Sequence, residues 1–163
     1  MAGPIAVLWD RYNLLQWQEA EAAAKARGWT LLSLEIRDPE QIGAAFAAAH
    51  DARASALLVF NSALFDREAG RVVAFAAKAR LPAIYGLRLY VDAGGLMSYG
   101  PDLVENWRRA AVFVDKILKG AKPADLPVEQ PTKFDLIINA KAAHSQGVVM
   151  PKSLLLRAHQ VMQ

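Results

Sequence analysis

The chain has 163 residues, a 54% hydrophobic share, 21% charged residues and a formal net charge of +3, a profile that fits one globular domain with a substantial core. The basic excess is scattered as single Lys and Arg residues among acids, without a basic block or an aromatic-interleaved stripe, which argues against nucleic acid as a partner. Cysteine is absent, which excludes disulfides and thiol catalysis, and the longest uncharged run, residues 54–65, falls well short of the roughly 20 residues a membrane helix needs.

Residues 5–9 form an apolar run that reads as a buried strand, and the residues before it carry no signal-peptide pattern. Asn13 and Gln16 suit a capping box for a helix through residue 27, with Leu14, Trp17, Ala20 and Ala24 as its apolar stripe and Gly28 as its stop. Residues 31–36 are a second strand. Asp38-Pro39-Glu40-Gln41 starts the next helix, with Asp as N-cap and Pro at the first helical position; Ile42, Phe46 and Ala49 face inward from it. A third strand, 56–60, leads into Asn61-Ser62, and a helix over 66–79 carries Val72, Val73, Phe75 and Ala76. Residues 81–85 are a fourth strand. Strand starts recur about every 25 residues, close to the size of a strand-helix-strand unit. Apolar strands alternating with amphipathic helices predict an α/β fold, a parallel doubly wound sheet covered on both faces.

The stretch 81–103 is the pivot of the chain. After the fourth strand come Arg88, Tyr90 and Asp92, read as a polar and aromatic loop, then Gly94-Gly95 and a short strand at 96–99. Adjacent glycines between strands mark a close backbone approach or a change of direction. They fit either a loop within one sheet or a crossover between two lobes, with Tyr85, Arg88 and Asp92 facing the cleft. Pro101-Asp102 starts a long helix whose stripe is Leu103, Trp107, Ala110, Val114, Ile117 and Leu118, and Gly120 ends it. Pro123, Pro127 and Pro131 punctuate an extended connector. A strand at 134–139, a short helix at 140–145, a turn at Gly147 and an apolar segment at 154–161 complete the chain.

Parallel α/β sheets bind ligands beyond the carboxyl ends of their strands. Those ends offer Asp10-Arg11-Tyr12-Asn13, Arg37-Asp38, Asn61-Ser62 and Gly86-Leu87-Arg88. No glycine-rich phosphate loop occurs, so no nucleotide cofactor is expected. A phosphoacceptor site needs clustered carboxylates at the first and third strand ends, and Asn61 stands where the second acid belongs. His50, His144 and His159 lack metal-ligand spacing, and Ser145 lacks an acid and base pair. The sequence therefore predicts no catalytic residue, no metal and no cofactor. Trp9, Tyr12, Phe65, Tyr85 and Tyr90, with Asp10, Arg11, Arg88 and Asp92, suit a small amphoteric or aromatic ligand held without chemistry. An acid can meet its ammonium, and Arg88 or a helix N-terminus its carboxylate.

The words LPAIYG, VDAGGLMSYGPDL, RRAAVFVDKILKGAKPADLPVEQPTKFDLIINAKAA and PKSLLLRA resemble the C-terminal half of ABC transporter substrate-binding proteins, the group that includes tryptophan and tyrosine uptake proteins. The resemblance is specific over 81–158 and looser, though consistent in topology, over 5–80. It implies a periplasmic-binding-protein type I lobe of flavodoxin-like topology. Residues 1–93 and 133–163 would form the C-terminal ligand-binding lobe. Residues 94–120 would be a crossover strand and helix of the other lobe, and 121–132 the Pro-rich connector. The positions it implies for the ligand are Asp10, Tyr12, Asn13, Asn61, Ser62, Tyr85, Gly86, Ala93 and Gly94, to which the reading of the strand ends adds Arg88. The family commonly has Asn-Pro after the first strand, where this chain has Asp10-Arg11-Tyr12-Asn13. The partners implied are a small solute, such as an amino acid, and an ABC permease; the location implied is periplasmic or lipid-anchored. On this reading the chain is a truncated lobe whose 102–119 helix lacks its native sheet, and homo-oligomerisation through that helix is expected. The alternative is a freestanding cytoplasmic flavodoxin-like regulatory or enzymatic domain.

Overall fold

The computed structural model describes residues 3–163. Seven strands form one sheet: β1 (Ile5–Trp9), β2 (Leu31–Glu35), β3 (Ala56–Val59), β4 (Ala83–Tyr85), β5 (Met97–Pro101), β6 (Phe134–Asn139) and β7 (Gln160–Met162), in the spatial order 2-1-3-4-5-6-7. Strands β1 to β5 are parallel, β6 runs antiparallel to β5, and β7 is parallel to β6. The helices are α1 (Leu14–Ala26), α2 (Ile42–Asp51), α3 (Ala63–Arg67), α4 (Ala69–Lys78), α5 (Arg88–Asp92), α6 (Leu103–Leu118), α7 (Ala140–Gln146) and α8 (Lys152–Leu155).

The apolar runs of β1, β3 and β4 become the centre of the sheet because helices cover them on both faces. On one face Ala6, Leu8, Val59 and Ala83 meet Ile42 and Phe46 of α2, Val72 and Ala76 of α4, and Tyr90 of α5. On the other, Trp9 stacks on Trp17 of α1 at 5.4 Å between centroids and donates its indole N–H to Ser33 Oγ at 2.8 Å. Ala142 and Ala143 of α7 pack on Leu96. Each large side chain removed from water in this way contributes about 1.5–3 kcal/mol.

Several local expectations need correction. The cap before α1 is Asp10, whose carboxylate accepts from the Tyr12 N–H, while Asn13 closes the box by accepting from the Asp10 N–H. The turn this builds carries Leu14 past the end of the sheet, so Leu14 is exposed rather than inward-facing. The helix expected from residue 66 starts earlier as α3, capped by Ser62, and α4 follows it. Residues 88–92 form α5 instead of a loop, because Tyr90 and Val91 are drawn into the core. The sheet is also not wholly parallel. The chain leaves it after Pro101 and returns at Phe134, directly opposite, so β6 must run backwards. The strand assigned to the crossover, β5, is paired on both sides within this sheet; the chain departs only at Asp102.

Close backbone approach sets where β5 can lie. A Cβ on Gly100 would run into the carbonyl oxygen of Gly86, and one on Gly95 would lie 2.7 Å from Tyr85 Cε2 and 2.6 Å from the Tyr90 carbonyl oxygen. Gly100→Ala is therefore expected to cost at least about 2 kcal/mol in urea unfolding. Gly70→Ala, in α4 where an added Cβ meets nothing within 4 Å, should instead gain roughly 0.5–1 kcal/mol. Equal effects at the two positions would refute the close-approach account.

Candidate functional site

In the 2-1-3-4-5 strand order, the chain turns to opposite sides of the sheet at β1 and β3, and the crevice beyond their C-terminal ends is the ligand position. Here that crevice is built by a short polar network. Asn13, buried after the turn that follows β1, donates from Nδ2 to the Asn61 carbonyl oxygen at 3.0 Å. The Asn61 side chain lies against Gly86, close enough that a Cβ there would collide with it. Three strand ends, those of β1, β3 and β4, are thus tied side by side. Ser62 accepts from the Phe65 N–H at 3.3 Å and fixes the start of α3.

Two hollows open on this edge. One, of about 300 Å³, is lined by Asn13, Gln16, Phe60, Asn61, Gly86 and Tyr99, with Leu58, Ile84 and the backbone side of Tyr85 beneath. The other, of about 450 Å³, is lined by Asp10, Arg11, Tyr12, Glu35, Arg37 and Arg67, with Ile36, Ala63 and Leu64. One is largely apolar with amide groups, and the other is rich in charge. Together they offer side-chain amides, an aromatic face and both signs of charge, the inventory for a small zwitterionic or aromatic molecule. Among the described residues there is no group of three or more His, Asp or Glu side chains that could hold a metal ion.

Of the expected ligand positions, Asp10, Tyr12, Asn13, Asn61, Ser62 and Gly86 come together at this edge. Tyr85 does not present its ring there. The residue is 1% exposed and its ring stacks on Tyr90 at 4.7 Å, inside the core, because alternation along β4 sends residue 85 with residue 83 to the face covered by α4 and α5. Ala93 and Gly94 are also misplaced as cleft residues. They precede β5, and the pairing of Ile84 with Met97 puts them at the N-terminal end of the strands, across the sheet from Asn61. Arg88 sits on α5, where its guanidinium meets Asp92 at 3.3 Å and Gln160 Oε1 at 2.9 Å. The aromatic wall is smaller than expected: Trp9, Phe65, Tyr85 and Tyr90 are all buried, and Tyr12 is 75% exposed. Sequence reasoning missed Tyr99, Phe60 and Gln16. Tyr99 had a usable signal, since it alternates with the buried Ser98 and must face the other way.

The fold and this edge define a doubly wound α/β unit with two open hollows beyond its strand ends. The family model described as ABC transporter substrate binding protein matches residues 14–162, and the chain belongs to that family. An ABC domain from Streptococcus pneumonia, solved in complex with L-Trp, is 25% identical with a TM-score of 0.88, covering 98% of this chain and 55% of that one. A conserved domain protein from Vibrio cholerae O1 biovar eltor is 23% identical with a TM-score of 0.87 over 98% and 54%. The ligand-free, open form of CD0873, a substrate binding protein with adhesive properties from Clostridium difficile, is 19% identical with a TM-score of 0.72 over 99% and 55%. The chain thus spans about half the length of these structures. No curated protein matches it significantly.

Burial of the tyrosine pair has an electrostatic consequence. Tyr90 donates its hydroxyl to Asp66 Oδ1 at 2.9 Å. Burial raises the Asp66 pKa, and the hydrogen bond partly offsets this; burial, then the adjacent Asp66 charge, raises that of Tyr90. A carboxylate with a raised folded-state pKa favours the fold most below its unfolded value and loses that contribution as pH rises through the folded one. Tyr90→Phe removes the offsetting bond, so the Asp66 pKa should climb further, read by carboxyl-carbon NMR titration. The fold should lose about 1–2 kcal/mol near neutral pH.

Proposed function

We propose that the chain is the ligand-binding lobe of an ABC importer's solute-binding protein, taking a small organic solute of the amino-acid class without catalysis. The observation that carries this is the Asn13–Asn61–Gly86 link, which places amide groups from three strand ends around an open hollow at the topological switch point. The relative solved with L-Trp supports an amino acid, and Tyr99, 55% exposed on the same hollow, offers a face for its side chain. Family membership favours this over a freestanding flavodoxin-like enzyme or regulatory domain. In this reading residues 1–93 and 133–163 belong to the ligand-binding lobe, the segment from Asp102 through 120 reaches toward a second lobe, and 121–132 lead back. The solute is closed between the lobes and the closed form is offered to a permease. The setting is extracytoplasmic, periplasmic or lipid-anchored; no helix among the described residues is long and apolar enough to cross a membrane.

Titrating L-amino acids while following backbone amide shifts tests the site. The largest changes should fall at Asn13, Asn61, Gly86 and Tyr99, with Asn13→Ala and Tyr99→Ala each weakening the best ligand about tenfold. Tyr85→Phe should leave it unchanged. Shifts confined to residues away from this edge, or no response to any amino acid, would overturn the reading.

The apolar side of α6 supports a second part of the proposal, self-association through residues 102–119. Trp107 is 73% exposed and Leu118 81%, and no residue of α6 is buried. A second copy of the chain is the occupant at hand. Sedimentation should show dimers at low micromolar concentration, converted to monomers by Trp107→Glu with Leu118→Glu. A clean monomer before substitution would sink this part alone.

A further inference from the structure

On the α5 side of the sheet, where α6 departs from it, lies a cavity of about 470 Å³. Its floor comes from strand alternation: Ser98 and Gly100 of β5 stand opposite Ile137 and Asp135 of β6. Gly100 brings no side chain, which leaves the middle of the floor open. Leu87 and Leu89 form one apolar wall, and Leu103 and Val104 of the first α6 turn form the other. Two polar groups on the floor make no hydrogen bond to any described residue. One is the hydroxyl of Ser98, a residue only 2% exposed. The other is the Asp135 carboxylate, on a side chain 25% exposed whose ion-pair contact is His159 Nε2 at 3.8 Å. The remaining charges around the cavity have closer partners: Arg88 with Asp92 at 3.3 Å, Arg108 with Glu105 at 3.3 Å, and Asp102 with Lys133 at 2.7 Å.

We propose that this cavity, which adjoins the strand-edge hollow at Gly86 but opens on the opposite face of the sheet, is a second binding site for a small organic ammonium ion with an apolar body. Asp135 supplies a carboxylate acceptor and Ser98 a hydroxyl acceptor on one face of the sheet, at diagonal positions of the β5–β6 pair, and a charged N–H donor suits both. The leucine, valine and isoleucine walls remove the body from water. A carboxylate ligand is disfavoured, because it would meet Asp135 while both nearby guanidinium groups are engaged with acids. Since α5 belongs to the sheet and α6 to the segment that leaves it, an occupant would hold the two in one setting.

The probe is 2-phenylethylamine at neutral pH, titrated into the full chain alongside 2-phenylethanol and 3-phenylpropionate, with amide shifts as the readout. The amine should give saturable shifts at Leu89, Ser98, Val104 and Ile137, the alcohol should bind about tenfold more weakly, and the carboxylate should not bind there. Asp135→Asn, nearly isosteric, should weaken the amine by about tenfold or more, and Ser98→Ala should weaken it by a smaller factor without altering the melting temperature. Absence of saturable amine binding, insensitivity to both substitutions, or tighter binding of the carboxylate would overturn the proposal. So would an equal loss of amine binding in Asn61→Ala, which would assign the amine to the strand edge.

Discussion

Burial of the central strands on both faces is the constraint from which the rest of the molecule follows. Ala6, Val7 and Leu8 are wholly removed from solvent, and Leu57, Val59 and Ala83 nearly so. Side chains there can only pack, because an unpaired polar group in such a place costs several kcal/mol. Polar function is therefore pushed to the strand ends and to gaps in the helical cover. The buried polar residues mark where this happens. Asp10 and Asn13 lie at the C-terminal end of β1, where they cap the first turn and tie it to Asn61. Ser98, the third, lies on the floor of the cavity beside α6.

The segment between β5 and β6 obeys a different logic. It leaves and rejoins the sheet at one edge, where the Asp102 N–H donates to the Lys133 carbonyl oxygen and the Lys133 ammonium meets the Asp102 carboxylate at 2.7 Å. That hydrogen bond holds the Asp102 carboxyl below its usual pKa range and raises that of Lys133. Farther out, Arg109 grips Glu129 with both guanidinium arms. These exposed pairs link the two ends of the segment and tie α6 to the stretch that returns, without burying the helix. The stripe of Leu103, Trp107, Val114, Ile117 and Leu118 is left facing water. An amphipathic helix normally owes its stability to the surface that its apolar side covers. Among the described residues no element covers that side, and the chain spans only about half of each solved relative.

The fold was legible in the sequence to the degree that periodicity carries information. The apolar runs at 5–9, 56–59 and 83–85, the helix from Asp102 and the stops at Gly28, Gly120 and Gly147 all follow from short-range chemistry; those three glycines have positive φ. The family was legible from residues 81–158. Failures came where tertiary packing decides. Which of Asp10 and Asn13 caps the first turn depends on backbone geometry that either residue type could serve. Tyr90 reads as a loop residue beside Arg88 and Asp92, yet stacking on Tyr85 and bonding to Asp66 draw it inward. The aromatic wall failed for the same reason, since a ring after an apolar strand can finish the core as readily as it can face a ligand. Asn13, Asn61 and Gly86 were accessible because topology alone brings the ends of β1, β3 and β4 together.

Strand β5 connects the two proposed sites. Ser98 and Tyr99 are adjacent, so their side chains lie on opposite faces: Tyr99 borders the strand-edge hollow, and Ser98 lies under the cavity beside α6. A shift of β5 by one residue would exchange them and take each side chain away from the cavity it lines. The register is held by steric exclusion, with Gly100 packed so closely on the Gly86 carbonyl that any side chain at that position would collide. Pairing of Tyr85 with Ser98 on one side and of Ile137 with Ser98 on the other leaves no second alignment with a glycine in the crowded position. The same strand continues through Pro101 into the segment that departs from the sheet. The register that keeps Tyr99 and Ser98 on their respective faces therefore also fixes where the segment beyond Pro101 leaves the sheet.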